Sequence, residues 1–157
     1  MTLRVGQGFD CHAFADDPAR PLMLGGIEIS NERGLAGHSD ADVATHALMD
    51  ALLGAACLGD LGRHFPATEE HRDASSLAML ETVLERVLDQ GWTVTSADVT
   101  IIAQAPRLEQ WLPAMADLLG DHLGIDVSVK ATTTDRLGAI GRGEGICSLA
   151  IVLLEAR

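Results

Sequence analysis

The chain has no Tyr, three Phe, two Trp and a single Lys, Lys130. So few aromatics argue against a base-stacking platform for single-stranded nucleic acid, which needs several rings along one groove. Cations are scarce as well. Eleven Lys and Arg stand against 23 Asp and Glu, a net charge of −12. No basic stripe is present to follow a phosphate backbone, so nucleic acid and anionic membranes are disfavoured as partners. An anionic small molecule remains admissible, because metals, helix N-termini and a few placed cations supply positive charge locally. The three cysteines, Cys11, Cys57 and Cys147, are odd in number and lack CxxC spacing. Neither a disulfide framework nor a thiolate zinc knuckle is expected. There is no apolar run of membrane-spanning length, and Met1–Gly6 shows no charged-then-apolar signal pattern. The expectation is a cytoplasmic protein.

What is present is a 157-residue chain, 47% apolar, built on Ala, Val, Leu and Ile. It reads as one domain over residues 1–157. The mean hydropathy of +0.18 is high for a small monomer and hints at buried subunit interfaces. Strands are expected at 3–9, as a hairpin over 22–29 around Gly25-Gly26, and at 92–103, 126–132 and 147–154. Helices are expected from Ser39 or Asp40 to Gly59, from Ser75 to Gly91, and from Pro106 to Gly124. Residues 138–145 read as a Gly-rich loop. This order predicts an α+β chain, an α/β sandwich with helices on one face of a mixed sheet. A sheet face left uncovered needs another partner, and a second subunit is the simplest.

Several segments could carry chemistry. Asp10 and His12 follow the first strand and, in extended chain, point the same way. His46 sits on the first helix with Asp42 and Asp50 four residues to either side. One Asp and two His suit a zinc ion with an open fourth position. The same residues also read as a loop His and a core-edge His46 bonded to Asp42 or Asp50. His38 and Ser39 lie at a helix start, where free N–H groups favour a phosphate; Ser39 and Asp40 read equally as helix caps. Asp60 and Gly62 suit a sugar-like chain or a plain turn. Ala131, Thr132 and Thr133 run off a strand end with hydroxyls for phosphate oxygens, and Asp135 suits a hard cation such as magnesium. Arg142 reads as a phosphate contact or as half of a turn ion pair.

In order and spacing, Gly8–Phe14, Gly37–Val43, His46–Ala55, Leu58–Gly62, Asp98–Pro106, Lys130–Thr134 and Gly141–Gly145 resemble the 2-C-methyl-D-erythritol 2,4-cyclodiphosphate synthase family. The resemblance covers nearly the whole chain. It implies a homotrimer packed through its sheets, with active sites between subunits. Asp10, His12 and His46 become zinc ligands, and Asp135 a ligand of magnesium or manganese. Catalytic roles fall to the three zinc ligands with His38 and Thr133. His38 and Ser39 would meet the substrate phosphates; Asp60, Gly62 and Phe65 would meet the methylerythritol part. Ala103, Pro106, Arg107 and Leu108, with Ala131, Thr132 and Thr133, would form a cytidine pocket in the adjoining subunit. Arg142 would meet an isoprenoid diphosphate in a cavity on the trimer axis. The implied reaction is intramolecular: the 2-phosphate of a diphosphocytidyl substrate attacks the β-phosphate and CMP leaves. The chain departs from the family pattern at Ala67 and Glu69, usually Asp, at Asp135, commonly Glu, and at Arg107, commonly Lys.

Overall fold

The computed structural model describes residues 1–68, 71 and 73–157. Its framework is a four-stranded sheet made of β1 (Leu3–Ala13), β4 (Trp92–Ile102), β5 (Val127–Thr132) and β6 (Gly145–Ala156). The spatial order is β1-β6-β4-β5; β5 runs parallel to β4 and the other pairs are antiparallel. A mixed sheet was expected. The strand between 3 and 9 proves longer, because β1 pairs with β6 all the way from Leu3 opposite Glu155 to Ala13 opposite Gly145. Asp10 and His12 therefore lie inside a strand rather than beyond it. The hairpin forms as β2 (Leu22–Leu24) and β3 (Ile27–Ile29).

Helix α1 (Val43–Ala55) is buried almost all round, with Asp50 and Gly54 the exceptions. It lies directly on β1. A Cβ added at Gly8 would sit 1.9 Å from the Ala47 carbonyl oxygen, and one at Gly6 2.0 Å from that of Ala51. Glycine on the strand and alanine on the helix thus set the closest approach of the two elements. That approach carries His46, next to Ala47, toward the end of β1.

The N-cap of α1 is Asp42, not Ser39 or Asp40. Its carboxylate accepts from Thr45 N (3.0 Å) and from the Gly25 and Gly26 amides (2.8 and 2.7 Å), which ties the hairpin to the helix. A short helix, α2 (Leu61–His64), follows where a turn was read, and α3 (Ser76–Asp89) packs on α1. Helix α4 (Leu112–Leu123) starts six residues later than Pro106, which follows a cis peptide; Pro113 occupies its first turn, and Gly124 ends it at φ 68°. Within the Gly-rich segment, Gly138–Gly141 form α5.

Among the described residues, nothing covers the other face of the sheet around the β1–β6 pair. Val5, Phe9 and Ile151 are each at least half exposed, and Leu149 and Leu153 flank Ile151 on β6, opposite Phe9 and Val5. On that face Cys11 and Cys147, directly opposed in the β1–β6 register, form a cross-strand disulfide, S–S 2.21 Å. This corrects the expectation of no disulfide. The two cysteines are 136 residues apart, and strand register, not sequence spacing, brings them together.

Candidate active site

Three side chains converge where β1 meets α1. Asp10, His12 and His46 each offer one ligand atom, and those atoms lie within 4.8 Å of one another. Asp10 Oδ2 is 3.2 Å from His12 Nε2 and 3.0 Å from His46 Nδ1. The alternative partners for His46 are thereby corrected: Asp42 caps its helix, and Asp50 accepts the Leu61 amide at 3.0 Å. Among the described residues no other group of three such side chains converges in this way.

The donor set fits a divalent cation. His12 Nδ1 stands 2.6 Å from the Ala36 carbonyl oxygen, which can only accept, so Nδ1 carries a hydrogen and Nε2 is the nitrogen turned toward Asp10. His46 Nε2 stands 2.9 Å from Ser76 Oγ, leaving Nδ1 to face Asp10. One carboxylate oxygen and two imidazole nitrogens turned to one point call for positive charge among them, which hydrogens on the rings or a divalent cation in their place would supply. Burial alone would push the Asp10 carboxyl up, but hydrogen bonds and charge from His12 and His46 outweigh it and hold the group well below the usual carboxylate range. The Asp10 hydrogen bond, against partial desolvation, raises the His12 pKa.

Around this centre lies the Gly34–Asp40 loop. The Arg20 guanidinium ties it down through the Leu35 and Ser39 carbonyl oxygens, with Asp73 at 4.0 Å. Ser39 Oγ reaches His46 Nε2 at 3.3 Å. His38 Nε2 bonds the Thr68 carbonyl oxygen, and the His38 carbonyl accepts from Asp73 N at 2.9 Å. The loop that includes Phe65 and Ala67 is thereby joined to His38. Glu69 lies outside the described residues. Asp60 is the N-cap of α2, its carboxylate accepting Arg63 N at 3.1 Å beside Gly62. Sequence reading missed Arg20, Ala36 and Ser76 as parts of the site. Each acts through contacts with residues distant in sequence, and no local pattern marks such contacts.

A second cleft, of about 390 Å³, opens where β4 and β5 end. Ala103, Pro106, Arg107, Leu108, Ala131, Thr132 and Thr133 all line it. The two segments expected to share a pocket therefore do so, because β4 and β5 are parallel neighbours ending side by side, Ile102 opposite Thr132. Asp135 stays apart from the triad: Thr133 Oγ1 donates to its carboxylate at 3.4 Å, and its own amide donates to Thr133 Oγ1 at 3.2 Å. Arg142 Nε donates to Glu144 at 2.7 Å within the same chain, so that ion pair needs no second subunit.

Known proteins bear on this arrangement. Residues 3–155 match the YgbB family. A 2-C-methyl-D-erythritol 2,4-cyclodiphosphate synthase of Desulfitobacterium hafniense is 54% identical over 97% of this chain and 98% of its own length. Among solved structures, the bifunctional IspDF of Campylobacter jejuni superposes with a TM-score of 0.93 at 38% identity, over 99% of this chain and 43% of that longer one. IspF of Plasmodium falciparum, solved as a CDP complex, gives 0.85 at 30% identity over 99% and 97% of the two chains. The chain belongs to the YgbB family, the enzyme family of the 2-C-methyl-D-erythritol 2,4-cyclodiphosphate synthases.

Proposed function

We propose that this chain, as a single domain, converts 4-diphosphocytidyl-2-C-methyl-D-erythritol 2-phosphate to 2-C-methyl-D-erythritol 2,4-cyclodiphosphate and CMP. An oxygen of the 2-phosphate bonds to the β-phosphorus as the bond from that phosphorus to the α–β bridging oxygen breaks. CMP takes that oxygen and its electron pair. The observation that carries the reading is the convergence of Asp10, His12 and His46 in a chain about half identical to synthases of this name. Asp10, His12 and His46 would hold zinc, and Asp135 magnesium or manganese. When bound, such cations supply charge neutralisation and Lewis acidity to the phosphates.

The chain's own groups do the rest by placement. The nucleophile is an ionised phosphate, so no side chain need remove a proton, and orientation carries most of the chemistry. His38 and Ser39, held by Arg20 and the Thr68 carbonyl oxygen, would steady the phosphates. Asp60, Gly62 and Phe65 would take the methylerythritol hydroxyls and methyl. The cleft at Ala103–Leu108 and Ala131–Thr133 suits cytidine, with Thr133 at the phosphate end and Arg107 adding a cation. Net charge −12 does not oppose this substrate, because positive charge would be local to the metals and a few placed Arg.

The uncovered face with Val5, Phe9 and Ile151 supports assembly through the sheets, in a cytoplasmic homotrimer whose sites join the cleft of one subunit to the triad of the next. An isoprenoid diphosphate on the axis would compete with Glu144 for Arg142. The test is a phosphorus NMR assay of the purified protein with substrate, zinc and magnesium. The expected products are CMP and a cyclic diphosphate. CMP with an open-chain bisphosphate would make water the nucleophile, and no CMP at all from a zinc-loaded trimer would overturn the enzymatic reading.

A further inference from the structure

Ser76 is completely buried at the start of α3, and Asp40 is mostly buried in the loop before α1. Neither offers an atom to the converging triad, yet both are tied to it. Ser76 Oγ lies 2.9 Å from His46 Nε2 and donates its one hydrogen to Asp40 Oδ1. The Asp40 carboxylate also accepts the Ser76 amide at 2.8 Å and the Asp42 amide at 3.2 Å. Ser75, the formal N-cap of α3, makes no side-chain cap bond. Asp40 supplies the carboxylate there instead and bridges the first turns of two helices.

The direction of these bonds is forced. An ionised carboxylate only accepts, so the Ser76 hydroxyl hydrogen points at Asp40. The hydroxyl oxygen then has only lone pairs for His46, so Nε2 must carry the imidazole hydrogen. Nδ1, 3.0 Å from Asp10 Oδ2, is thereby the nitrogen left to exchange its hydrogen for a cation held with Asp10 and His12. We propose that Asp40 and Ser76 are a positioning pair that fixes the tautomer and ring orientation of His46 for metal binding. This rests on the metal reading above. The arrangement follows the general pattern in which a metal-bound imidazole donates its other N–H to a polar partner that is itself hydrogen-bonded. Here the partner comes from α3, so the packing of α3 against α1 sets the aim of a ligand on α1.

The test is competition of the zinc-loaded full chain against a chromophoric chelator, with the visible spectrum of the cobalt-substituted protein as a second readout. Ser76→Ala is expected to bind zinc about 10–100-fold more weakly and to show a displaced cobalt band, while Ser76→Thr, which keeps the hydroxyl, stays within about threefold of the parent. Ser76→Ala with unchanged zinc affinity and cobalt spectrum would overturn the proposal and leave Asp40 a helix cap only. Should Ser76→Ala not fold, Asp40→Asn decides, since an amide in place of either carboxylate oxygen meets an N–H donor and frees the Ser76 hydrogen to turn toward His46. Weakened zinc binding there supports the pair; unchanged binding overturns it. A parent chain that bound neither zinc nor cobalt would overturn the metal reading itself, a result distinct from loss in the variants alone.

Discussion

The Asp10–His12–His46 cluster and the Thr133–Asp135 turn, both proposed above to hold a cation, are built in opposite ways. The first draws on a strand paired with β6 along its whole length and on a helix buried almost all round, and each ring has its second nitrogen engaged, by Ala36 or by Ser76. The second is an exposed turn whose polar groups bond mainly to one another, with Asp135 at φ 50° and Arg136 at φ 67°. A non-glycine residue adopts that backbone only at some cost, which neighbours must offset. One chain therefore completes the first half of the site and only sketches the second.

The largest effect should come from the completed half. His46→Ala removes one of three ligands from a preorganised set. A several-kcal/mol loss of Lewis-acid stabilisation corresponds to about a thousandfold or greater fall in kcat/KM. Circular dichroism should remain that of the parent, and the bound zinc should be gone. Gly8→Ala should damage the same centre from beneath. Its Cβ would meet the Ala47 carbonyl oxygen, so α1 must lift off β1 and take His46 with it. Overpacking of this kind costs about 1–3 kcal/mol; a lowered Tm together with weakened zinc binding is expected. A drop in Tm with full zinc affinity would show that the centre tolerates helix displacement.

The sketched half should respond differently. Asp135→Ala is expected to cost about 10–100-fold in kcat/KM, the worth of a bond to a charged group, and to raise the magnesium concentration needed for half-maximal rate. Its Tm should fall by no more than a few degrees, the cost of Ala at φ 50°, because the side chain is exposed and, among the described residues, bonded only to Thr133. A large loss of Tm would mean that the turn is as integral to the fold as the triad, and the contrast would fail.

The sequence made some of this legible for physical reasons. Two-residue alternation put Asp10 and His12 on one face, and that holds because β1 remains extended past residue 9. Gly124 as a helix stop and Gly25-Gly26 as a hairpin turn follow from local backbone chemistry, and both stand. The Asp42 cap was not legible, because its preference over Ser39 and Asp40 comes from the Gly25 and Gly26 amides of a separate element. The same holds for Ser76, whose neighbour His46 is 30 residues away, and for the Cys11–Cys147 disulfide. The helix expected from Pro106 begins only at Leu112, where Pro113 takes the first-turn position, and Pro106 lines the second cleft.

The smallest effect lies between the two halves, where β5 is joined to β4 above the second cleft. Lys130 Nζ donates to Asp98 Oδ2 at 2.5 Å, both side chains about half exposed. That hydrogen bond holds the Asp98 carboxyl below its ordinary value of 3.8. A carboxyl with a lowered folded pKa stabilises the fold above its unfolded value, and that stability is lost as pH falls through the folded one. The pair should therefore contribute from about pH 4 upward and fade below it. Solvent and salt screen it, so Asp98→Asn should cost about 0.2–1 kcal/mol at neutral pH. The loss should shrink in high salt, and the variant's stability should vary less than the parent's below pH 4. Urea denaturation at pH 7 and pH 3 checks both. Because Lys130 leads directly into Ala131–Thr133, an accompanying rise in KM without change in kcat would show that this surface pair also steadies the cytidine side of the site. An unchanged KM would leave it a strand contact alone.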